Sequence, residues 1–487
     1  METGPKRGLS LFDSTCIIVG IIIGAGIYKT VPGVAGGVSN MAAWLQSHVG
    51  GLSLEAWRWL CVLGIWGLGG LLSLFGALGY AELASAFPRE GGDYVYLTKS
   101  YGRWAGYLFG WTQLTIVRPG DIGAMAFAFA TYAVAMLNPF AHDVVVKIII
   151  GFWPTLLFSL QPEEQLALAH KVYAGAAVVI LTVINVIGAR QGKWTQNILT
   201  VVKALGLVAI AGVALIAGQN HPQVEFGGGL PVSVAMILVL FTFGGWNEMA
   251  YVAAEVKNPQ RNIVRALLLG TVAVTFLYLL VNLAFLYVLG YEGVATSGAV
   301  ATDCVSSVLR ASAGNFIAAL VCISALGAVN GLIFTGARIT YAMGAEHPAF
   351  RPLGRWGARG QTPTAALLLQ GAIALGVIVL LGSFLDTLVY TAVAVYSFYL
   401  ATSIGLIVLR IKRPDVERPY RVLGFPVTTA IFCLVCGYLI YSSVTYAWGN
   451  FPKWYGVPKC FVILVVAMVI GVIIYFATEM GRRKSTD

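Results

Sequence analysis

Long apolar runs alternate with short, mostly polar turns from one end of this chain to the other. Most runs approach or exceed twenty residues, the length an α-helix needs to cross a hydrocarbon core of about 30 Å. Taken in order they predict spans at 11–35, 59–87, 104–137, 168–189, 198–217, 232–256, 266–289, 315–342, 364–381, 385–409, 425–448 and 457–476. Shorter helices are expected over 94–103, lying in the interface, and over 301–311 in an outer loop. A further apolar run at 144–153 falls below about 18 residues and carries Lys147, with Pro154 just behind it. Counting it as a span would reverse the side of every later loop, so it reads as an outer-face insertion. The ten-residue alternation of an outer-membrane barrel is absent.

Two of the runs are interrupted by glycine. The first contains Gly20-Ile-Ile-Ile-Gly24-Ala25-Gly26-Ile27-Tyr28, and the sixth contains Phe241-Thr242-Phe243-Gly244-Gly245-Trp246. Each glycine costs a helix about 1 kcal/mol relative to alanine. A helix interrupted at membrane depth bares amides and carbonyls that lipid cannot satisfy, so both breaks must face protein or a water-filled cavity. Matched broken helices in the two halves of a chain point to a secondary transporter and to its binding site. The third run is also expected to be interrupted, at Arg118-Pro119-Gly120-Asp121. Five spans followed by five more, each set headed by a break, imply an internal repeat, and an odd span count forces the second copy to be inverted. The resulting layout is a cytoplasmic N-terminus (1–10), a first five-helix repeat (11–217), an inverted second repeat (218–409), a basic loop (410–424), two further helices (425–476) and a cytoplasmic C-terminus (477–487).

Composition agrees with this reading. Hydrophobic residues make up 58% of the chain and charged residues 11%, against roughly 25% charged in a soluble domain. This is an all-α polytopic membrane protein. The net charge of +10 gathers in loops on one side, the positive-inside pattern, so nucleic acid is not expected as a partner and both termini are placed in the cytoplasm. The lack of appended tails points to a bacterial inner membrane. Seven cysteines are scattered. Cys433 and Cys436 have metal-like spacing but sit in an apolar run without a second pair, so packing is the better account and neither metal nor cofactor is expected. The five histidines fall in loops or span ends, none beside a nucleophile, which argues against an enzyme.

Breaking a helix creates one end rich in carbonyls and another rich in amides, each worth about half a charge. Gly24, Ala25 and Gly26 would aim amides at an anion, while the carbonyl of Ile22 faces a cation. The carbonyls of Phe241, Thr242 and Phe243 form a second cation-facing end. An α-amino acid carries a carboxylate and an ammonium a few ångströms apart and suits such a site; the lipid bilayer is the other partner. Tyr28, Trp246 and Glu248 are gate or pocket candidates beside the breaks. Asn330 is either a pocket donor or interhelical glue. Lys203, an ammonium within a span, is a functional candidate by default; the alternative is a lysine snorkelling to the basic interface. Asp121 and Glu248 are intramembrane carboxylates fit to relay a proton or meet a cationic substrate, or else to form local ion pairs, with Arg118 the obvious partner for Asp121. Glu255 reads as structural.

Several of these segments carry a family resemblance. Ile17 to Tyr28 and Phe241 to Asn247 resemble the first and sixth spans of L-type amino-acid transporters, part of the amino acid–polyamine–organocation superfamily. Arg118-Pro119, Lys203 and Val329-Asn330-Gly331-Leu332-Ile333-Phe334-Thr335 are similar as well, and the likeness covers roughly residues 9–413. It implies a LeuT-type fold of 12 transmembrane helices with a 5+5 inverted repeat, broken helices 1 and 6, and sodium-independent amino-acid transport, usually by exchange. In that family the carboxylate rests on amides matching Gly24, Ala25 and Gly26. The ammonium faces carbonyls matching Ile22, Phe241, Thr242 and Gly244, and the aromatic matching Phe241 closes the site. Asn247 falls within the resembling motif as a gate or pocket position. By the same resemblance Lys203 projects towards the first break, where a fixed positive charge would replace sodium. Ala25 stands where the L-type proteins commonly have Ser, and Glu248 where they have an uncharged residue. Animal L-type proteins pair with a glycoprotein through a cysteine between spans three and four. Residues 138–169 contain none, so no disulfide-linked glycoprotein partner is expected. The resemblance thus implies exchange of neutral L-amino acids, with a proton-coupled symporter of amino acids (cationic ones included) or of polyamines as the alternative.

Overall fold

The computed structural model describes residues 6–137, 162–217, 229–309, 313–357, 360–380, 384–450, 453–454 and 456–484. The run at 144–153 and most of the 138–169 loop lie outside these residues. Helix α1 (Leu11–Ile22) starts at a capping box, in which the Asp13 amide donates to Ser10 Oγ and the Ser10 amide donates to Asp13 Oδ2 at 2.9 Å. It ends at Ile22, where the Gly24 amide folds back onto the Ile22 carbonyl at 2.7 Å. The chain then resumes as α2 (Gly26–Lys29), α3 (Val31–Gly37) and α4 (Ser39–His48). Residues 36–57, between the first two expected spans, are therefore largely helical.

Next come α5 (Leu54–Ala86) and α6 (Asp93–Tyr101). Helix α6 is packed into the protein. Tyr94, Val95, Tyr96 and Leu97 are buried, because the helix packs against α7 (Arg103–Thr112) and against α16 (Phe384–Lys412). The third span is a continuous column: α7, a π-helical turn over Gln113–Val117, and α8 (Arg118–Met136). The irregularity thus sits just before Arg118 and not over 118–121. Pro119 explains the shift, since a proline removes the bond to the residue four earlier and its ring clashes with that carbonyl, here Thr115 inside the widened turn.

The fourth and fifth spans are α9 (Pro162–Ile187) and α10 (Ala189–Ala217). Helix α11 (Val232–Thr242) covers only the first half of the sixth run; the second half is two 3₁₀ turns, Glu248–Tyr251 and Ala253–Glu255, rather than a second α-helix. The remaining helices are α12 (Pro259–Thr296), α13 (Val300–Leu309), α14 (Ala313–Glu346), α15 (Thr364–Leu380), α16, α17 (Val427–Asn450) and α18 (Lys459–Lys484), with a small hairpin of β1 (Lys453–Trp454) and β2 (Val457–Pro458) before α18. Among the described residues, nine helices are long and apolar enough to cross a membrane, and α11 and residues 364–379 are shorter apolar helices.

Helix α1 is the centre of the bundle, packed against α10, α12 and α14. Small residues permit close crossings. A Cβ on Gly70 would lie 2.4 Å from Thr275, and one on Gly69 would lie 2.2 Å from Val239. At the end of the bundle carrying the basic loops, three ties close the protein. The Leu9 amide donates to the Glu255 carbonyl at 2.9 Å and the Lys257 amide to the Leu9 carbonyl at 2.8 Å. Glu255 pairs with the fully buried Arg338 at 2.7 Å. Glu82 takes Arg410, Arg418 at 3.4 Å and the Val422 amide at 2.8 Å.

Removing one partner of a buried ion pair leaves an uncompensated charge and costs about 3–5 kcal/mol. Glu255→Gln therefore lowers the thermal unfolding midpoint in detergent, and adding Arg338→Met to it restores part of the loss. Equal midpoints for wild type and Glu255→Gln would show that the pair carries no net load.

Candidate functional site

The two breaks meet at the middle of the bundle. Gly245 has a φ of 106°, open to glycine, and a Cβ there would lie 2.5 Å from Ile21. A Cβ on Gly26 would come within 3.0 Å of Thr242. The glycines thus interrupt both helices and let the interrupted backbones touch.

The broken backbone of α1 is satisfied by side chains from three neighbouring helices. Lys203 of α10 donates to the Gly20 carbonyl and, at 3.3 Å, to the Ser324 carbonyl. Tyr278 of α12 donates to the Ile22 carbonyl at 2.8 Å, with the Thr242 carbonyl 3.3 Å away. Ser324 of α14 donates to the Ile23 carbonyl at 3.0 Å, with that of Gly24 at 3.2 Å. Lys203 is 0% exposed; it does not snorkel. Its ammonium stands against the carbonyl end of α1.

A cavity of about 100 Å³ opens beside the breaks. Ile22, Gly24 and Gly26 line it from the first break, and Phe241, Thr242, Gly244 and Glu248 from the second. Gln113, Arg118, Asp121 and Met125 close it from the third span, and Thr391, Tyr396 and Tyr399 from α16. The first amides of α2 have no intrahelical partner, and Phe241 and Thr242 at the end of α11 line the same space, so the cavity lies between helix ends of opposite polarity.

The other sequence-predicted positions stand behind this wall. Ala25 is fully buried and Tyr28 nearly so. Phe243 packs on Trp66 and Tyr278. Trp246 packs edge-on against Tyr80, with ring centroids 5.0 Å apart, and also meets Tyr399 and Phe432. Asn247 donates to the Tyr251 hydroxyl at 2.7 Å and accepts from Tyr399 at 3.0 Å. Asn330 donates to Gln196 at 3.0 Å and accepts from Asn185 at 2.9 Å, well inside the helix packing.

The charges pair differently from the sequence expectation. Arg118 bonds Glu248 at 2.8 Å, with both side chains nearly buried, rather than Asp121 one turn away. Arg118 also donates to Gln113 at 3.1 Å and lies over the Tyr251 ring at 5.0 Å, while Thr335 donates to the second Glu248 oxygen at 2.5 Å. The wider turn before Arg118 re-aims this guanidinium. Towards the basic end, Asp93 accepts from Tyr80, from Tyr251 at 2.7 Å and from Thr402 at 2.5 Å. Burial pushes its carboxyl up to about 6, with the hydroxyl donors pulling in the opposite direction. Tyr278 and Ser324 escaped the sequence reading: a lone tyrosine or serine in an apolar run gives no spacing signal.

The sequence from residue 9 to 473 matches the family model described as amino acid permease. The chain belongs to the amino acid permease family. It is 29% identical over 483 residues to the mouse b(0,+)-type amino acid transporter 1, covering 97% of this chain and 88% of the relative. It is 29% identical to the human large neutral amino acids transporter small subunit 2, covering 98% and 87%. The serine/threonine exchanger SteT of Bacillus subtilis (strain 168) is 28% identical, covering 87% and 88%. The all-helical, multi-pass architecture is that of a membrane permease, and the family and these relatives are transporters.

In this permease Tyr278→Phe strips the donor from the Ile22 carbonyl at the break. An orphaned buried acceptor costs about 1–3 kcal/mol, so the variant melts earlier in detergent. The same exchange at the exposed Tyr438 of α17 serves as the control and leaves the midpoint in place. Equal midpoints for wild type and Tyr278→Phe would contradict the assigned load.

Proposed function

We propose that the protein is a secondary transporter that moves amino acids by alternating access, through sodium-independent exchange of neutral L-amino acids. The observation that carries this reading is the cavity into which both breaks open. A zwitterion placed there would rest its carboxylate on the amides of Gly24, Ala25 and Gly26 and its ammonium on the carbonyls of Phe241, Thr242 and Gly244. The Ile22 carbonyl, already an acceptor for Tyr278, contributes through its place at the rim. Phe241 lines the cavity as the closing aromatic. Phe243, Tyr28, Trp246, Asn247 and Asn330 act from behind the wall by holding the breaks in shape. The work is differential binding between conformations, not covalent chemistry.

The architecture that goes with it is a LeuT-type fold of twelve spans. Residues 11–217 and 218–409 form the inverted repeats, 425–476 the last two helices, and both termini and the 410–424 loop face the cytoplasm of the cell membrane. The packing of α5 on α12 and of α8 on α14, one partner from each proposed repeat, the basic loops at one end and two breaks in contact support it. A loop without cysteine at 138–169 supports a chain that works with no disulfide-linked glycoprotein.

Lys203 takes the place of a coupling cation: its ammonium sits on the carbonyl end of α1, where a free cation would otherwise bind. Lys203→Met, nearly equal in length, cuts exchange in sodium-free buffer by at least tenfold. Activity within twofold of wild type would remove the lysine from the mechanism.

The whole reading is tested by uptake of labelled amino acids into sodium-free, pH-clamped proteoliposomes. Uptake is expected only when amino acid is loaded inside. Net uptake into empty vesicles that rises with an inward proton gradient would replace exchange by proton symport, and no uptake in either case would reject the function.

A further inference from the structure

Away from the central cavity, a groove of about 280 Å³ lies where α4, the first half of α5 and the start of α11 come together. Trp57, Leu60, Gly64, Ile65 and Leu68 supply its α5 wall. Their steps of three and four residues, with one pair adjacent, trace one face of a helix. Met41 and Leu45 of α4 form a second wall, and Val232 and Met236 of α11 a third. Among the described residues that line it none is charged. The Trp57 indole N–H, its one side-chain nitrogen, is already donated to the Gly50 carbonyl at 3.3 Å. A zwitterionic amino acid finds nothing to bind there.

Depth and shape fix the occupant. From Trp57 to Leu68 the groove follows α5 for about 16 Å, at 1.5 Å per residue. One end carries the exposed Trp44, the half-buried Trp57 and the Arg58–Glu292 pair at 3.2 Å. Such tryptophans mark the edge of the hydrocarbon. The other end closes where α5 and α11 cross, since a Cβ on Gly69 would lie 2.2 Å from Val239. Half of a hydrocarbon core of about 30 Å is about 15 Å, so the groove descends through one leaflet and stops near the midplane. Its volume over that length is a cross-section of about 18 Å², against roughly 80 Å² for a helix 10 Å across. A single flexible chain fits, and a helix of a second protein does not. Midway, a Cβ on Gly64 would meet nothing within 4 Å, so the space is open at that glycine.

We infer that this groove is a binding site for one acyl chain of a membrane phospholipid, which braces the start of α11 against α4 and α5. Bulk lipid tails are as apolar as the groove, so burial of apolar surface does not select the chain. Selection comes from the walls on three sides, which give a lodged chain more close contacts than fluid neighbours do. The site matters to the rest of the molecule because α11 leads from Val232 and Met236 to Phe241 and Thr242 at the second break. This inference does not depend on which molecule the protein transports.

The test is native mass spectrometry of the intact protein in detergent, mixed with palmitoyl-oleoyl-phosphatidylglycerol. One tightly retained phospholipid per chain is expected for the wild type. Gly64→Phe fills the groove and lowers that retention at least tenfold. Gly437→Phe, at an equally open glycine of α17, keeps it within twofold of wild type. Should Gly64→Phe not fold, the smaller Gly64→Leu takes its place. In the wild type, diphytanoyl-phosphatidylglycerol has the same headgroup and chains thickened by methyl branches, and it is expected to compete at least tenfold more weakly. Bracing is read by melting: added phospholipid raises the unfolding midpoint of the wild type and of Gly437→Phe, but not of Gly64→Phe. Equal retention in all three proteins, equal competition by straight and branched chains, an equal rise in midpoint, or a second copy of the protein in place of the lipid overturns the inference.

Discussion

A backbone interrupted inside a membrane has to find new partners for its polar groups, and the centre of this protein is arranged around that requirement. In the hydrocarbon region each unsatisfied amide or carbonyl costs several kcal/mol. At the end of α1 the open carbonyls are met one by one by Lys203, Tyr278 and Ser324, each from a different helix. Because the donors come from α10, α12 and α14, the break is also what joins those helices to α1. What would be a defect in an isolated helix serves here as the point where four elements are tied together.

The same requirement separates the two breaks in character. The first has its carbonyls occupied by protein donors and leaves the start of α2 to the cavity. The second has Gly245 in a conformation open to glycine, brings Ile21 into contact and presents the end of α11. One helix end of each polarity therefore reaches a common space, an arrangement suited to a small dipolar molecule. Side chains with long reach, Arg118 and Glu248 above all, close that space laterally by binding each other rather than the solvent.

Much of this was legible in the sequence, for reasons that can be traced. Span length and spacing follow from bilayer thickness, so helix bounds such as 364–381 and 385–409 fall within a few residues of α15 and α16. The breaks were visible because glycine has no other business amid isoleucines and phenylalanines. Local rules failed where a tertiary partner decided the outcome. Arg118 was expected to bond the nearby Asp121, yet a widened turn ahead of Pro119 aims it at Glu248. Helix α6 has the amphipathic look of an interfacial segment, and its tie to the bundle was not legible: Asp93 draws three hydroxyls from α5, α16 and the second break. Tyr28, Trp246 and Asn247 neighbour the breaks in sequence, and only the turn of the backbone puts them behind the cavity wall.

The parallel bridge between Leu9 and Val256 has a mechanical consequence. It fastens the residue just ahead of α1 to the segment that follows the second break, so the two interrupted elements are yoked at the basic end as well as touching at their midpoints. Neither can swing away alone without parting backbone hydrogen bonds on both sides of Leu9. Opening of that end would then proceed as a single stroke in which both elements travel together, and the amide of Leu9 would exchange its hydrogen only as often as the stroke is made.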